Sequence, residues 1–384
     1  MQKSEQRGAA RAQGAVPIKR GRRVANKAQP TRNSAANAAR ARNAAMPPRA
    51  WLAAALAAAA AAQSHDVTLV TQATVEKLWL FPELCERWRG PMALTLWVPD
   101  VAVVEQAYAT ATQAATSCAD ATDGGSVSIH VEVQRSNEAY PVNRLRNIGL
   151  RSVNTSHVLV SDADFLPSRG LRDAIRAKAH WLANEKLALV VPAFQRKGGR
   201  CKTLESCRER LEPLPTTVPG RFGQLARCLR EKDCLVFQGD NSPQSHGTTD
   251  SSRWLEGDET VRPIECFRSN RYEPYVVVSM AQMPLYDERF AGYGKNKIQH
   301  VSHLRRMGYL FAVLPRHFLI HVPHPRSGSK KEWLNSYQTH SAVDTLYTKF
   351  LKEIDARYGA ATRVHLCSQV DGDFRRAKRR WAGA

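Results

Sequence analysis

The chain has 384 residues, of which 43% are hydrophobic and 8 are Trp, so it can bury a sizeable core in one large or two medium domains. This composition excludes a wholly disordered chain. The formal net charge of +21 favours an anionic partner such as nucleic acid, a membrane surface or the phosphates of a nucleotide sugar, and it does not distinguish among the three.

The N-terminal segment differs in composition from the rest of the chain. Residues 1–50 contain 12 Lys and Arg and a single acid, Glu5, with almost no large apolar residues, so we expect them to be disordered. Residues 51–63 form an Ala-rich apolar run that is shorter than the roughly 20 residues that span a bilayer. A basic flank before an apolar run is typical of a signal anchor, and an Ala-rich linker is the alternative.

Strands and helices are predicted to alternate from Asp66 onward. Strands are predicted at 67–71, 92–98, 127–133 and 157–160, with helices between them at 75–88, 102–118 and 142–153. The strands are short apolar or alternating segments, and the helices have apolar residues at helical spacing. This order predicts an α/β fold with a mostly parallel central sheet and helices on both faces.

The pattern becomes less regular after the fourth strand. A helix is predicted at 172–183 and a strand at 187–193, and residues 197–263 are predicted to be an irregular insertion with one helix at 222–230. Regular elements return as strands at 275–278, 310–314 and 318–322 and helices at 296–307 and 333–358. Long irregular insertions in α/β enzymes often carry substrate contacts.

Eight cysteines occur in the chain, and four of them form two closely spaced pairs. Cys201 and Cys207, and then Cys228 and Cys234, have a spacing that does not fit a C-x2-C zinc site. Two local disulfides in an oxidising compartment and unpaired buried thiols fit the sequence equally well.

Two carboxylates, Asp162 and Asp164, follow the predicted strand at 157–160. Open α/β sheets bind ligands beyond the carboxyl ends of their strands. Two carboxylates at positions i and i+2 of a tight turn can face one Mg²⁺ or Mn²⁺ together with the oxygens of a diphosphate. An Asp-rich turn that caps the next helix is the alternative. The pattern indicates a metal–diphosphate site.

Other candidate substrate-binding residues lie near a helix start and in the irregular insertion. Asn143 and Arg144 lie near the start of a predicted helix, where free N–H groups and an Arg fork can bind phosphate. His246, Asp250 and Trp254 lie in the insertion. A carboxylate beside an aromatic ring is a common way to hold a sugar, and a helix cap is the alternative for Asp250.

A further group of candidates follows residue 285. The adjacent acids Asp287 and Glu288 could supply a general base. Lys295 and Lys297 could neutralise a leaving diphosphate. His321 ends an apolar strand and is a candidate third metal ligand, because imidazole suits manganese and similar ions. The alternatives are an acidic surface turn for Asp287 and Glu288, solvated side chains for the two lysines, and a core residue for His321.

Six segments follow one another in a specific order: YPVNRLRN at 140–147, SDADFLP at 161–167, HGTTD at 246–250, YEPY at 272–275, YDERFAGYGKNK at 286–297 and HFLIH at 317–321. Together they resemble glycosyltransferase family 49, which includes the β-1,4-glucuronyltransferase and the LARGE-type xylosyl/glucuronyltransferases. The resemblance covers roughly residues 66 to 325. The ordered set is highly specific, although each segment alone is a weak signal.

The resemblance implies a GT-A fold, which we place at residues 64–360. The residues that follow, 361–384, contain a basic run at 375–380 and are predicted to form a basic tail. The resemblance also implies a UDP-sugar donor, dependence on Mn²⁺ (or Mg²⁺), and Golgi residence as a type II membrane protein. By position, Asp162 and Asp164 match the Asp-x-Asp motif of the family, and His321 matches the later His that completes metal binding.

The resemblance further implies an inverting reaction, which needs a base to deprotonate the acceptor hydroxyl. Asp287 or Glu288 is the first candidate for this base, and Asp250 is the second. The sequence thus predicts transfer of glucuronic acid or xylose from a UDP-sugar to a saccharide acceptor on a glycan or glycoprotein. The alternatives are a soluble, cytoplasmic nucleic-acid-binding protein and a catalytically inactive partner subunit.

Overall fold

Fourteen strands occur in the part of the chain that the computed structural model describes, which comprises residues 65–121, 126–135, 138–197, 201–325 and 328–368. They are β1 (Val67–Ala73), β2 (Met92–Val98), β3 (Val127–Val133), β4 (His157–Val160), β5 (Phe165–Pro167), β6 (Leu187–Val191), β7 (Ala193–Arg196), β8 (Cys234–Val236), β9 (Arg262–Pro263), β10 (Cys266–Phe267), β11 (Tyr275–Ser279), β12 (Leu310–Val313), β13 (Leu319–His321) and β14 (His365–Leu366). The predictions for residues 1–50, 51–63 and 369–384 lie outside the described residues.

The α-helices within the same ranges connect or cover these strands. They are α1 (Phe81–Trp88), α2 (Val104–Ala121), α3 (Val142–Arg151), α4 (Leu171–Arg176), α5 (Ala179–Leu182), α6 (Leu204–Leu211), α7 (Leu214–Thr217), α8 (Phe222–Arg230), α9 (Ser251–Leu255), α10 (Ile298–Arg306), α11 (Gly328–Asn335) and α12 (Tyr337–Tyr358). Among the described residues, no helix has the length and apolarity needed to cross a lipid bilayer.

The central sheet has eight strands in the order β3-β2-β1-β4-β11-β6-β12-β9. Strands β1, β2, β3 and β4 pair in parallel, as do β6 and β12. Strand β11 runs antiparallel to both of its neighbours, β4 and β6. It therefore begins at the edge of the sheet where β4 ends. The predicted α/β fold with a mostly parallel sheet is confirmed.

A second sheet has four strands in the order β5-β13-β7-β8. Its strand β5 is the next strand after β4 in the sequence. Strand β13 pairs antiparallel with β5, and His321 is in register with Phe165. The backbone N–H of Val322 donates to the carbonyl oxygen of Asp164 at 2.8 Å. This pairing brings the residues after β13 beside the Asp-x-Asp turn.

Helix α3 packs closely on the central sheet at Gly149. A Cβ atom at this position would lie 2.7 Å from Cγ1 of Val70, so only glycine allows this separation. The buried face of the helix contains Asn143, Arg146 and Asn147, which are at most 2% exposed. The close packing holds these polar side chains against the strand ends.

Several predicted boundaries were wrong. The strand predicted at 187–193 is two strands, because Pro192 interrupts it and the chain passes from the central sheet to the smaller one. The helix predicted at 333–358 is two helices separated at Ser336, whose side chain caps the second one. The insertion at 197–263 contains α6, α7 and α9 in addition to the predicted helix α8.

All eight cysteines are paired in disulfides. The local pairs Cys201–Cys207 and Cys228–Cys234 agree with the first of the two sequence alternatives. The other two disulfides, Cys85–Cys118 and Cys266–Cys367, join residues far apart in sequence and were not predicted.

Candidate active site

The carboxylate of Asp162 accepts hydrogen bonds from four side chains. Arg146 Nη2 (2.8 Å) and Gln72 Nε2 (3.0 Å) donate to Oδ1. The Tyr275 hydroxyl (2.8 Å) and Lys297 Nζ (3.0 Å) donate to Oδ2. Burial would raise the pKa of Asp162, but the charges of Lys297 and Arg146 lower it well below its ordinary value. Asp162 is therefore a fixed anion in a cationic setting.

The donors to Asp162 come from four separate elements that meet at one edge of the central sheet. Gln72 lies near the end of β1, Arg146 on α3, Tyr275 at the start of β11 and Lys297 just before α10. The amino group of Lys297 also donates to the Tyr275 hydroxyl at 2.7 Å. Because strand ends and helix starts hold all four, the cluster is rigidly placed.

Asp164 is the centre of a second cluster. Its Oδ2 atom lies 2.5 Å from Lys77 Nζ, 2.8 Å from His324 Nε2 and 4.0 Å from His321 Nε2. Burial would raise the pKa of Asp164, but Lys77 and the two histidines lower it well below its ordinary value. Asp164 is thus ionised at neutral pH.

Asp164, His321 and His324 form a group that fits a divalent cation. One ligand atom from each lies within 4.8 Å of the others. Burial lowers the pKa of His321 to about 3, so its imidazole is neutral and can offer a lone pair. One carboxylate and two imidazoles suit Mn²⁺ and similar ions. The donor set is therefore compatible with the manganese that the sequence resemblance implies.

Several of the predicted site residues are brought together. Asp162, Asp164, His321 and Lys297 lie at this edge of the sheet. Asp162, which was predicted as a metal ligand, is not part of the three-residue group, and other side chains donate to both of its oxygens. Asn143 contacts this group through Arg146, because its Oδ1 accepts a hydrogen bond from Arg146 Nη1 at 2.9 Å.

His246 is buried and packs against the ring of Phe237, with 5.4 Å between ring centroids. Phe237 in turn lies 5.2 Å from the His321 ring and 6.0 Å from Lys297 Nζ. Burial, together with the charge of Lys297, lowers the pKa of His246 to about 3. His246 is thus a neutral neighbour of the site.

Three of the predicted substrate-binding residues have other partners. Arg144 forms ion pairs with Glu138 and Glu132. Lys295 pairs with Asp344 on α12. Trp254 is buried in the core, where its Nε1 donates to the Leu314 carbonyl oxygen at 2.8 Å. These contacts place Arg144, Lys295 and Trp254 outside the two clusters.

The three carboxylates predicted as general bases each have a cationic partner. Asp287 accepts from Arg289 at 2.6 Å, and Arg289 also bridges to Glu353 on α12. Glu288 lies 3.6 Å from Arg151 and accepts from Asn147 Nδ2 at 2.8 Å. Asp250 precedes the short helix α9 in a left-handed conformation (φ 53°) and pairs with Arg268 at 3.1 Å.

Sequence reasoning missed five residues of the clusters: Gln72, Lys77, Arg146, Tyr275 and His324. Arg146 and Tyr275 belong to the ordered segments at 140–147 and 272–275. Arg146 also follows Asn143 by three positions, so both lie on one helix face. Lys77 belongs to a short 3-10 helix at 75–80 and has no distinguishing pattern.

The comparisons with known proteins identify the same family that the six ordered segments indicate. The family model for the "Glycosyl-transferase for dystroglycan" matches residues 66–139 and 104–359. The chain belongs to this family. The resemblance to glycosyltransferase family 49 is therefore confirmed.

Named relatives of this chain include two LARGE proteins. The chain is 35% identical over 307 residues to the xylosyl- and glucuronyltransferase LARGE2 of Mus musculus, covering 79% of this chain and 41% of LARGE2. It is 31% identical over 312 residues to LARGE1 of Homo sapiens, covering 80% and 38%. The chain spans about two-fifths of the length of these curated relatives.

The similarity to solved structures is weak. S. aureus TarS 1–349 in complex with UDP-GlcNAc is 10% identical at a TM-score of 0.37, covering 76% of this chain and 73% of that one. A similarity at this level carries no argument about function.

Proposed function

We propose that this chain transfers a sugar from a UDP-sugar donor to a saccharide acceptor, with Mn²⁺ or Mg²⁺ held by Asp164, His321 and His324. The observation that carries the proposal is this carboxylate–imidazole group beside the cations Lys77, Lys297 and Arg146. Such a combination of metal ligands and fixed positive charge suits a diphosphate. The names of the relatives support the class of reaction.

A bound divalent cation would neutralise negative charge on the leaving UDP. The chain's own cations contribute in the same direction. Lys77 contacts Asp164, and Lys297 is held on Asp162 and Tyr275, so both amino groups are fixed at the site before a donor arrives. Fixed charges avoid the cost of reorganisation during the reaction.

Asp162 has a positioning role in this proposal. Its two oxygens accept hydrogen bonds from Arg146, Tyr275 and Lys297. These contacts orient the three side chains at the proposed donor site. Removal of Asp162 would leave the buried Arg146 and the partly exposed Lys297 without their shared anion. The proposed donor sugars are glucuronic acid and xylose, which are the sugars in the names of the relatives.

The proposed compartment is the Golgi lumen, with the chain anchored as a type II membrane protein. Four disulfides support an oxidising compartment, because reducing conditions in the cytosol keep thiols unpaired. The proposed anchor at 51–63 lies outside the described residues.

The test is UDP release from a panel of UDP-glucuronic acid, UDP-xylose and UDP-GlcNAc with a saccharide acceptor. The full chain is assayed with Mn²⁺ and then with EDTA, beside Asp164→Asn and the exposed control Asp173→Asn. We expect metal-dependent turnover of one donor that Asp164→Asn abolishes and Asp173→Asn retains. Absence of turnover with every donor would contradict the proposal. Metal-independent, salt-sensitive binding of nucleic acid would favour the alternative class.

A further inference from the structure

The reaction requires a proton acceptor near the donor site, and Glu273 is a carboxylate in a suitable place. It lies two residues before Tyr275, whose hydroxyl donates to Asp162 at 2.8 Å. Pro274 follows Glu273 and restricts it to an extended backbone. In extended chain, residues two positions apart face the same side. Glu273 therefore lies on the segment that leads directly into the Asp162 cluster.

The immediate surroundings of Glu273 differ from those of the three carboxylates predicted from the sequence. Its backbone N–H donates to the Ser245 carbonyl oxygen at 2.9 Å, which fixes the segment. Within the described ranges, its carboxylate forms no salt bridge, in contrast to Asp287, Glu288 and Asp250. Burial raises the pKa of Glu273, with Lys297 and the Ser245 hydroxyl opposing the increase. A more basic carboxylate accepts a proton more readily.

Tyr293, four residues before Lys297, packs against a second aromatic ring. It is 37% exposed, and its ring centroid lies 5.9 Å from that of Trp333 on α11. Burial, together with the negative charges of Glu273 and Asp162, raises the pKa of Tyr293 to about 12.

The position of Trp333 depends on Gly294. Gly294 has φ +100°, and a Cβ atom there would lie 2.5 Å from the Trp333 ring. The indole therefore lies directly against the glycine backbone. The Trp333 ring also packs on His340, with 4.0 Å between centroids and 37° between the ring planes. Gly294 and His340 thus fix the position of the Trp333 ring next to Tyr293.

We propose that the acceptor saccharide stacks on the rings of Tyr293 and Trp333 and that the carboxylate of Glu273 accepts the proton of its attacking hydroxyl. Aromatic rings offer a flat apolar face to the C–H side of a sugar, and a nearby carboxylate binds its hydroxyl groups. This inference rests on the proposed function, since it assigns the acceptor side of the same site.

The step balances as follows. The oxygen of the acceptor hydroxyl forms a bond to the anomeric carbon of the donor sugar. The bond between that carbon and the β-phosphate oxygen breaks, and its electron pair leaves with UDP. The hydroxyl proton passes to Glu273, which releases it to solvent after the product departs. No oxidant, reductant or further reactant is needed.

The first test replaces the proposed base. Transfer by the full chain is measured for Glu273→Gln and Glu273→Asp, with the exposed Glu265→Gln as control and Mn²⁺-dependent UDP binding as the check of folding. We expect Glu273→Gln to lower kcat by about 10²- to 10⁴-fold with UDP binding unchanged, and Glu273→Asp to retain part of the rate. Glu265→Gln should match the wild type.

The second test removes the aromatic surface. Tyr293→Ala and Trp333→Ala should raise the KM for the acceptor at least about tenfold and leave the KM for the donor unchanged. Tyr337→Ala, at a ring that is 83% exposed on α12, is the control and should alter neither constant.

Two results would overturn the inference. One is a Glu273→Gln variant with a kcat within threefold of the wild type, especially if Glu288→Gln or Asp287→Asn abolishes transfer instead. The other is an unchanged acceptor KM in both ring variants. These failures concern the acceptor side alone, because the wild type still transfers sugar. A wild type that transfers no sugar contradicts the proposed function and this subsite together.

Discussion

His324 Nε2 lies 2.8 Å from Oδ2 of Asp164, which is nearer than His321, at 4.0 Å from the same oxygen. His321 ends strand β13 and His324 follows it, and the antiparallel pairing of β13 with β5 brings both to the Asp-x-Asp turn. The metal group is thus assembled by the smaller sheet, whereas Asp162 belongs to the edge of the central one.

We predict that His324→Ala weakens Mn²⁺ binding at least as much as His321→Ala does, by about tenfold or more in each case. The reason is that both imidazoles belong to the proposed ligand set. Titration of Mn²⁺ followed by electron paramagnetic resonance measures this directly. The exposed His365→Ala serves as the control. Unchanged Mn²⁺ affinity in His324→Ala would remove that residue from the metal group.

Two arginines on helix α3 offer a matched comparison of stability. Arg146 is 2% exposed and binds Asp162, whose side chain is 24% exposed. Arg146→Met should lower the free energy of unfolding by about 3 kcal/mol, because it removes a buried cation that balances the Asp162 carboxylate. Arg144→Met loses partly exposed ion pairs with Glu138 and Glu132 and should cost about 1 kcal/mol or less. Urea unfolding without reductant gives both values, and equal losses would contradict the difference in roles.

Trp254 and Trp333 should respond in opposite ways to replacement by Phe. Trp254→Phe leaves the buried carbonyl of Leu314 without its donor, and we expect a loss of about 1–3 kcal/mol in stability with the acceptor KM unchanged. Trp333→Phe should raise the acceptor KM with little effect on stability. Thermal unfolding and steady-state kinetics separate the two. A raised acceptor KM in Trp254→Phe would place that ring at the substrate after all.

Stability should fall as the pH is lowered from 7 to 5. Burial lowers the pKa of His300 to about 3, and its ring stacks on Tyr286 and bonds the Pro284 carbonyl. The unfolded chain protonates this histidine near pH 6.5 and the folded chain does not. The contribution of His300 to the free energy of unfolding is therefore fully present above pH 6.5 and is lost as the pH falls below it. At pH 5 the loss from this residue should be about 2 kcal/mol.

His300→Gln provides the check on that pH dependence. The variant does not titrate, so the difference in unfolding free energy between pH 7 and pH 5 should shrink by about 2 kcal/mol. An unchanged difference would show that His300 does not titrate with the depressed pKa.

Local patterns predicted the first half of the fold well because the elements there follow one another and pair with neighbours. Strands β2, β3 and β4 begin and end at the predicted residues. The antiparallel insertion of β11 between β4 and β6 could not be predicted, because no local pattern specifies pairing with residues 84 to 122 positions away. The transfer of the chain to the smaller sheet at Pro192 was missed because the apolar run continues through it.

Local sequence patterns also indicated part of the candidate site. Asp162 and Asp164 end a recognisable strand, and Lys297 and His321 belong to the ordered segments. Trp254 is buried in the core, and the sequence could not foresee this because a buried indole and a sugar-binding indole have the same sequence signature. Whether Arg144 or Arg146 faces the site depends on the rotation of α3 about its axis. The packing of Gly149 against Val70 sets that rotation.

The most direct test of the central claim is the binding of UDP to the full chain by calorimetry, with Mn²⁺ and with EDTA, in the wild type and in Asp164→Asn. The account predicts that UDP binds with Mn²⁺ and that affinity falls at least about tenfold when the metal or the carboxylate is removed. UDP binding that is indifferent to both the metal and Asp164 would contradict the proposed metal–diphosphate site.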